Sequence, residues 1–168
     1  MGLPEDLLEQ AQFLAQREQR RPRQASLRRA VSTSYYAVFH LLSASSASQA
    51  SPAVPVGLSD RVQRSLEHGS MKEAAKRFES GTLPDHIRPF VTNPMPATLI
   101  SVARSFVRLQ DARHKADYDV ALRFDRAAAQ DAVALATQLF ADWDAIKNTE
   151  DAHVFLASLM FWKLWSKQ

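Results

Sequence analysis

The sequence predicts an all-α protein, an up-and-down bundle of four to five main helices with an additional C-terminal helix. Three observations carry this. Alanine, the residue of highest helix propensity, occurs 26 times in 168 residues, whereas glycine occurs four times. The glycines and the eight prolines gather at a few points, leaving residues 23–51 and 97–168 free of both. Within those stretches apolar residues recur every three or four positions, the period of an amphipathic helix, and they do not alternate as in a strand.

The first helix is expected from Pro4, a favoured opening position, to Arg20, with Leu7, Ala11 and Leu14 on one face. The second runs from Gln24 to Ser46 on a stripe of Leu27, Val31, Tyr35, Val38 and Leu42. Residues 47–57, rich in Ser, Ala and Pro, lack periodicity and read as a mobile loop. Two shorter helices follow over 59–67 and 70–79, the latter opened by Ser70 with Glu73 three residues on, the spacing of a capping box. Four prolines from Pro84 to Pro96 make residues 81–96 an extended surface loop. Long helices are then expected over 97–118 and 125–147, the second facing inward with Val133, Ala136, Phe140 and Trp143. Thr149 reads as the cap of a final helix. Residues 1–148 are thus assigned to the bundle and 149–168 to an aromatic helix. Its Phe155, Leu156, Leu159, Met160, Phe161, Trp162 and Trp165 exceed what one face buries, which implies a dimer or partner contact.

Several chemistries are excluded. Without cysteine there is no disulfide, thiol nucleophile or Cys-ligated zinc, and glycines only at 2, 57, 69 and 81 form no phosphate loop. No cofactor or metal is therefore expected. Glu5, Asp6 and Glu9 stand where a signal peptide would be positive, so a cytoplasmic protein is expected. The apolar run 152–165, at 14 residues, falls short of the ~20 needed to span a membrane. Charge is uneven: residues 17–29 hold six arginines against Glu18, either a surface for phosphates or an acidic partner, or a solvated turn broken at Pro22.

One helical stripe breaks its own pattern. Val102, Phe106 and Leu109 continue at the correct spacing to Arg113 and then Asp117. A guanidinium at a core position needs a carboxylate or a polar pocket, and Asp117, one turn on, is the expected partner. Tyr35 and Tyr36 sit mid-helix, and the third tyrosine, Tyr118, follows Asp117. If the two helices converge, these residues form one polar groove.

The run from Ala30 to His40, Ala-Val-Ser-Thr-Ser-Tyr-Tyr-Ala-Val-Phe-His, followed by Arg113-His-Lys-Ala-Asp-Tyr118, resembles the HEPN superfamily in its small bacterial stand-alone branch. The resemblance covers residues 5–147. It implies a helical bundle that forms a homodimer and associates with RNA, in a family whose members are often metal-independent endoribonuclease toxins paired with a nucleotidyltransferase-type antitoxin. Their signature is an arginine and a histidine with four to six residues between them. Here Arg113 takes the arginine's place, and Tyr118 stands where the histidine would follow. Arg108 with His114 and Arg61 with His68 also match that spacing, but Arg108 and His114, six apart, point about 120° apart in a helix, and His68, next to Gly69, lies outside the matching helix. Thr33-Ser34 replaces an arginine that relatives carry before the double tyrosine, and Arg28 or Arg29 is the candidate substitute. Val120 occupies the place of a tyrosine modified in some relatives, so that control is not expected.

Three functions follow as expectations. The first is an RNA-associated or partner-binding module of a toxin–antitoxin or defence system without nuclease activity, with a groove of Arg113, Asp117, Tyr118, Tyr35, Tyr36 and Arg28. In it, Arg113 meets phosphate or a partner carboxylate, Asp117 holds Arg113, and Tyr118 offers its hydroxyl. The second is an endoribonuclease acting on single-stranded RNA through Arg113, His114 and Tyr118. The third is an adaptor that docks on a nucleotidyltransferase through residues 17–29 and the C-terminal helix.

Overall fold

In a computed structural model, the described residues are 2–50 and 56–166, with Val56 described by its backbone alone. Among them are seven α-helices and no strand, an all-α helical bundle. The helices are α1 (Leu3–Gln16), α2 (Gln24–Ala50), α3 (Val56–Ser65), α4 (His68–Ser80), α5 (Ala97–Tyr118), α6 (Arg126–Ile146) and α7 (Glu150–Trp165). A single 3-10 turn, Arg88–Phe90, lies between α4 and α5. The chain divides into two compact units, Met1–His40 with Ser105–Ala141 and Leu41–Arg104 with Asp142–Gln168, so α2, α5 and α6 contribute residues to both.

The first unit is built on the stripe expected for α2: Leu27, Val31, Tyr35 and Val38 are buried. Tyr35 packs its ring against Phe106 of α5, 5.7 Å between centroids, and against Phe39 at 6.0 Å. Small residues are buried in the same unit: Ala11 and Ala15 on α1, and Ala129, Ala132 and Ala136 on α6. Small side chains let helix axes approach closely, which explains the abundance of alanine. On α6 the buried line is Ala129, Ala132, Ala136 and Leu139, so Val133 and Phe140, expected inside, are only half-buried. The connection after α1 also departs from expectation. The helix stops at Gln16 rather than Arg20, and the chain turns through Arg21 in the left-handed conformation, φ 53°. The Arg126 guanidinium donates to the carbonyls of Glu18 and Gln19, and Ser26 donates to the Glu18 carboxylate at 2.8 Å, fixing that turn.

The second unit centres on α4 and α7. Phe78 and Phe155 meet edge-to-face with centroids 5.0 Å apart, and Met71, Ala74, Ala75, Leu99, Val102, Leu156 and Leu159 are buried in the same unit. Trp143, as expected, is buried, and its indole N–H donates to Ser45 at 3.0 Å. Thr149 caps α7 by accepting from the Ala152 amide, and Asp151 accepts the Thr92 amide at 2.7 Å, tying the 81–96 loop to that helix start. The loop is less extended than its prolines suggest, because Leu83 and Ile87 are buried beneath it. Gly81 ends α4 at φ 67°, a left-handed closure suited to glycine. α4 begins at His68 with Glu67 as N-cap, so Ser70 and Glu73 form no capping box and Glu73 pairs with Lys76 instead. α2 continues through residues 47–50, correcting the loop expected there; residues 51–55 lie outside the described residues. α7 packs on α4 within this unit.

Truncating Phe155 to alanine removes the ring at the centre of the second unit and should cost about 3 to 5 kcal/mol. Thr149→Ala, which loses one cap, should cost about 1 kcal/mol. Urea denaturation followed by circular dichroism measures both, and equal costs would contradict this packing.

Candidate functional site

α2 and α5 bring the polar residues of the broken stripe together within the first unit. Arg113 Nη2 donates to the Tyr36 hydroxyl at 2.8 Å. Its Nε stands 2.8 Å from Asp117 Oδ2, one helical turn on, but the N–H is not aligned with that oxygen, so the contact is ionic rather than a well-formed hydrogen bond. Three tyrosine rings surround the guanidinium carbon, with centroids 5.8 Å away for Tyr35, 5.4 Å for Tyr36 and 5.7 Å for Tyr118. The negative faces of aromatic rings attract a cation at such range, contributing about 0.5 to 2 kcal/mol each according to desolvation.

The Arg113 side chain is 15% exposed and that of Asp117 27%. Burial works against the arginine's charge. The Tyr36 hydrogen bond and the neighbouring Asp117 and Tyr118 outweigh it, so the guanidinium binds its proton more tightly than usual. Tyr35, fully buried, has its hydroxyl pKa pushed well above the ordinary tyrosine range, first by desolvation, with Arg113 opposing and Tyr36 assisting. Tyr118 differs: 63% exposed, it presents its ring to solvent at the end of α5. The result is a fixed, mostly buried cation bordered by three aromatic rings, of which that of Tyr118 is exposed.

The remaining candidates fall around this cluster. Exposed His114 packs its ring on Tyr118, 5.1 Å between centroids. Arg108 lines a separate pocket of about 390 Å³ with Asp111 and Lys115. It lies about 140° around α5 from Arg113, so it joins neither Arg113 nor His114. Arg28 is committed elsewhere. Its guanidinium donates to the carbonyls of Ala116, at 2.8 Å, of Asp119, at 2.8 Å, and of Leu122, and lies over the Phe124 ring. It therefore caps the C-terminus of α5, satisfying carbonyls that a helix end leaves unpaired, rather than lining the groove. Gln24 reinforces the same connection by bonding both the amide and the carbonyl of Phe124. Neither role was apparent from spacing alone, since both join residues more than 80 positions apart. His40 is half-buried edge-on to Phe39, and burial lowers its pKa. No cluster of metal-ligating side chains occurs among the described residues.

Compared with known proteins, the chain matches no family model, no curated protein and no solved structure.

Two outcomes follow from this geometry. Tyr36→Phe should cost about 1.5 to 3 kcal/mol, the range for a hydrogen bond to a charged group, and the cost should largely vanish when Arg113 is methionine. A double-mutant cycle in urea measures the coupling, and additive costs would show that the bond contributes nothing. For His40, a folded pKa below the ordinary value means that the unfolded state takes up the proton first. Its contribution is present above the ordinary histidine pKa and is lost as pH falls through the folded one. Denaturation midpoints between pH 8 and 5 should therefore fall less steeply in His40→Asn than in the native chain.

Proposed function

We propose that the Arg113 groove binds the backbone of single-stranded RNA, and that the chain is an HEPN-like binding module rather than a nuclease. The observation that carries this is the pairing of an oriented guanidinium with the exposed ring of Tyr118. A guanidinium engages phosphate oxygens through a planar fork of donors, and single-stranded RNA is held by stacking its unpaired bases on aromatic faces. Tyr36 and Asp117 hold the guanidinium in place before any ligand arrives, which lowers the ordering cost of binding. Arg28 contributes indirectly, since by covering three carbonyls it reduces the negative end of the α5 dipole that would repel phosphate. The expected setting, a toxin–antitoxin or defence system with a nucleotidyltransferase-type partner, rests on the two-motif resemblance.

A second reading is favoured by one contact. The His114 ring meets Tyr118 at a tilt, and the Tyr118 ring lies 5.7 Å from the Arg113 guanidinium, so an imidazole stands one ring away from the cation. In an endoribonuclease, His114 would take the 2′-hydroxyl proton as that oxygen attacks phosphorus and the 5′-oxygen leaves, taking a proton from water, while Arg113 steadied the negative charge on the phosphoryl oxygens.

Fluorescence anisotropy with a labelled single-stranded RNA separates these readings. Binding should weaken steeply with salt, fall at least about tenfold in Arg113→Ala, and fall by a comparable factor in Tyr118→Ala, while the RNA stays intact on a denaturing gel. Cleavage lost in both Arg113→Ala and His114→Ala would establish the nuclease instead. Affinity unchanged in Arg113→Ala would overturn both readings.

A further inference from the structure

α7 is apolar on more faces than its own chain covers. Its inward face is Ala152, Phe155, Leu156, Leu159 and Trp162, all buried in the second unit. A different line of residues, Val154, Ala157, Phe161 and Leu164, runs along the helix at spacings of three, four and three. That is the a/d alternation with which one helix packs against another along a seam. Leu164 is 66% exposed and Phe161 42%, while Val154 and Ala157 are half-buried. Beside the seam, Trp165 packs on Phe161 at 5.8 Å, and Phe90 of the 3-10 turn is 69% exposed. An apolar surface of this kind marks an interaction face.

The face carries both halves of a fit. Its C-terminal part projects the large side chains Phe161 and Leu164. Its N-terminal part has small Ala157 and Val154, which with His86, Ile87, Phe90 and Trp165 line a mostly apolar hollow of about 310 Å³. A contact between identical surfaces about a two-fold axis requires that each copy offer what the other lacks. Laying a second α7 antiparallel places Phe161 and Leu164 of one copy over Ala157 and Val154 of the other; a parallel pair would set Phe161 against Phe161. The helix dipoles favour the same direction, since antiparallel helices bring opposite dipole ends alongside; Asp151 and Lys163 are already engaged within the unit, by the Thr92 amide and by Glu67.

We infer that this seam docks a second copy of the chain through an antiparallel α7–α7′ contact, with residue 154 of one copy facing 164 of the other and 157 facing 161. The inference is independent of the Arg113 reading, because it concerns a different unit and a different observable.

Analytical ultracentrifugation of the full chain tests it. The native protein should dimerise at micromolar concentration, and Leu164→Glu and Phe161→Glu should each raise the dissociation constant at least about thirtyfold while helicity and melting temperature hold, since both side chains are exposed. The direction can be read by cross-linking, because the chain contains no cysteine. Mixed under mild oxidation, Val154→Cys and Leu164→Cys should give the heterodimeric disulfide, and each variant alone little. A monomeric native chain at 100 μM, or a dimer insensitive to both glutamate substitutions, would overturn the inference. Efficient disulfide formation within either single variant would overturn the antiparallel register.

Discussion

The cost of holding a guanidinium inside a helical stripe governs the arrangement of the first unit. Arg113 cannot shed its proton at any accessible pH, so the surroundings must stabilise the charge instead of removing it. They do so with one hydrogen bond from the arginine to Tyr36, one ionic contact to Asp117 and three tyrosine rings. All three tyrosines of the chain are spent here. A well-packed aliphatic side chain at position 113 would serve stability at least as well, since a buried ion pair rarely outperforms a hydrophobic replacement. The arginine is thus better understood as an oriented donor set that the fold sustains than as a stabilising device.

The same economy of charge shapes the basic segment at residues 17–29. Its arginines do not form a uniform patch. Arg28 is occupied by three carbonyls at the end of α5, and Arg17 lies 4.0 Å from Glu18. The turn that follows α1 is held mainly by backbone carbonyls bonded to Arg126, with Glu18 receiving Ser26. Several charges that look available for a partner in the linear sequence are therefore used to join segments distant along the chain. Gln24, which bonds both backbone polar groups of Phe124, acts in the same way without charge.

In the second unit the corresponding constraint is apolar. Phe155 against Phe78 sets how α7 lies on α4, and Thr149 and Asp151 then fix the start of α7 and anchor the proline-rich loop. Once that face is committed, the helical period dictates that Val154, Ala157, Phe161 and Leu164 line another side. The exposed seam is a geometric consequence of packing a helix that is hydrophobic nearly all round.

Much of the fold was legible in the residues. Propensity, breakers and a 3.6-residue period act over a few positions, and they determined seven helices, the buried stripe of α2, the Thr149 cap and the pairing of Arg113 with Asp117. Helix ends were less legible: α1 stops early because tertiary bonds fix the turn after it, and α4 starts early because Glu67, not Ser70, takes the cap position. Which side of α6 faces inward was decided by packing of small against large, which favours Ala129 and Ala132 over the larger Val133 and Phe140. The convergence of Tyr36 on Arg113, the diversion of Arg28 to carbonyls and the exposure of Tyr118 depended on how helices 70 or more residues apart settle against each other. Sequence by itself determined which residues share a helix face, because that follows from local backbone geometry. Only the tertiary structure decided which faces meet, because side-chain volume and the pairing of buried polar groups are satisfied across the whole unit at once.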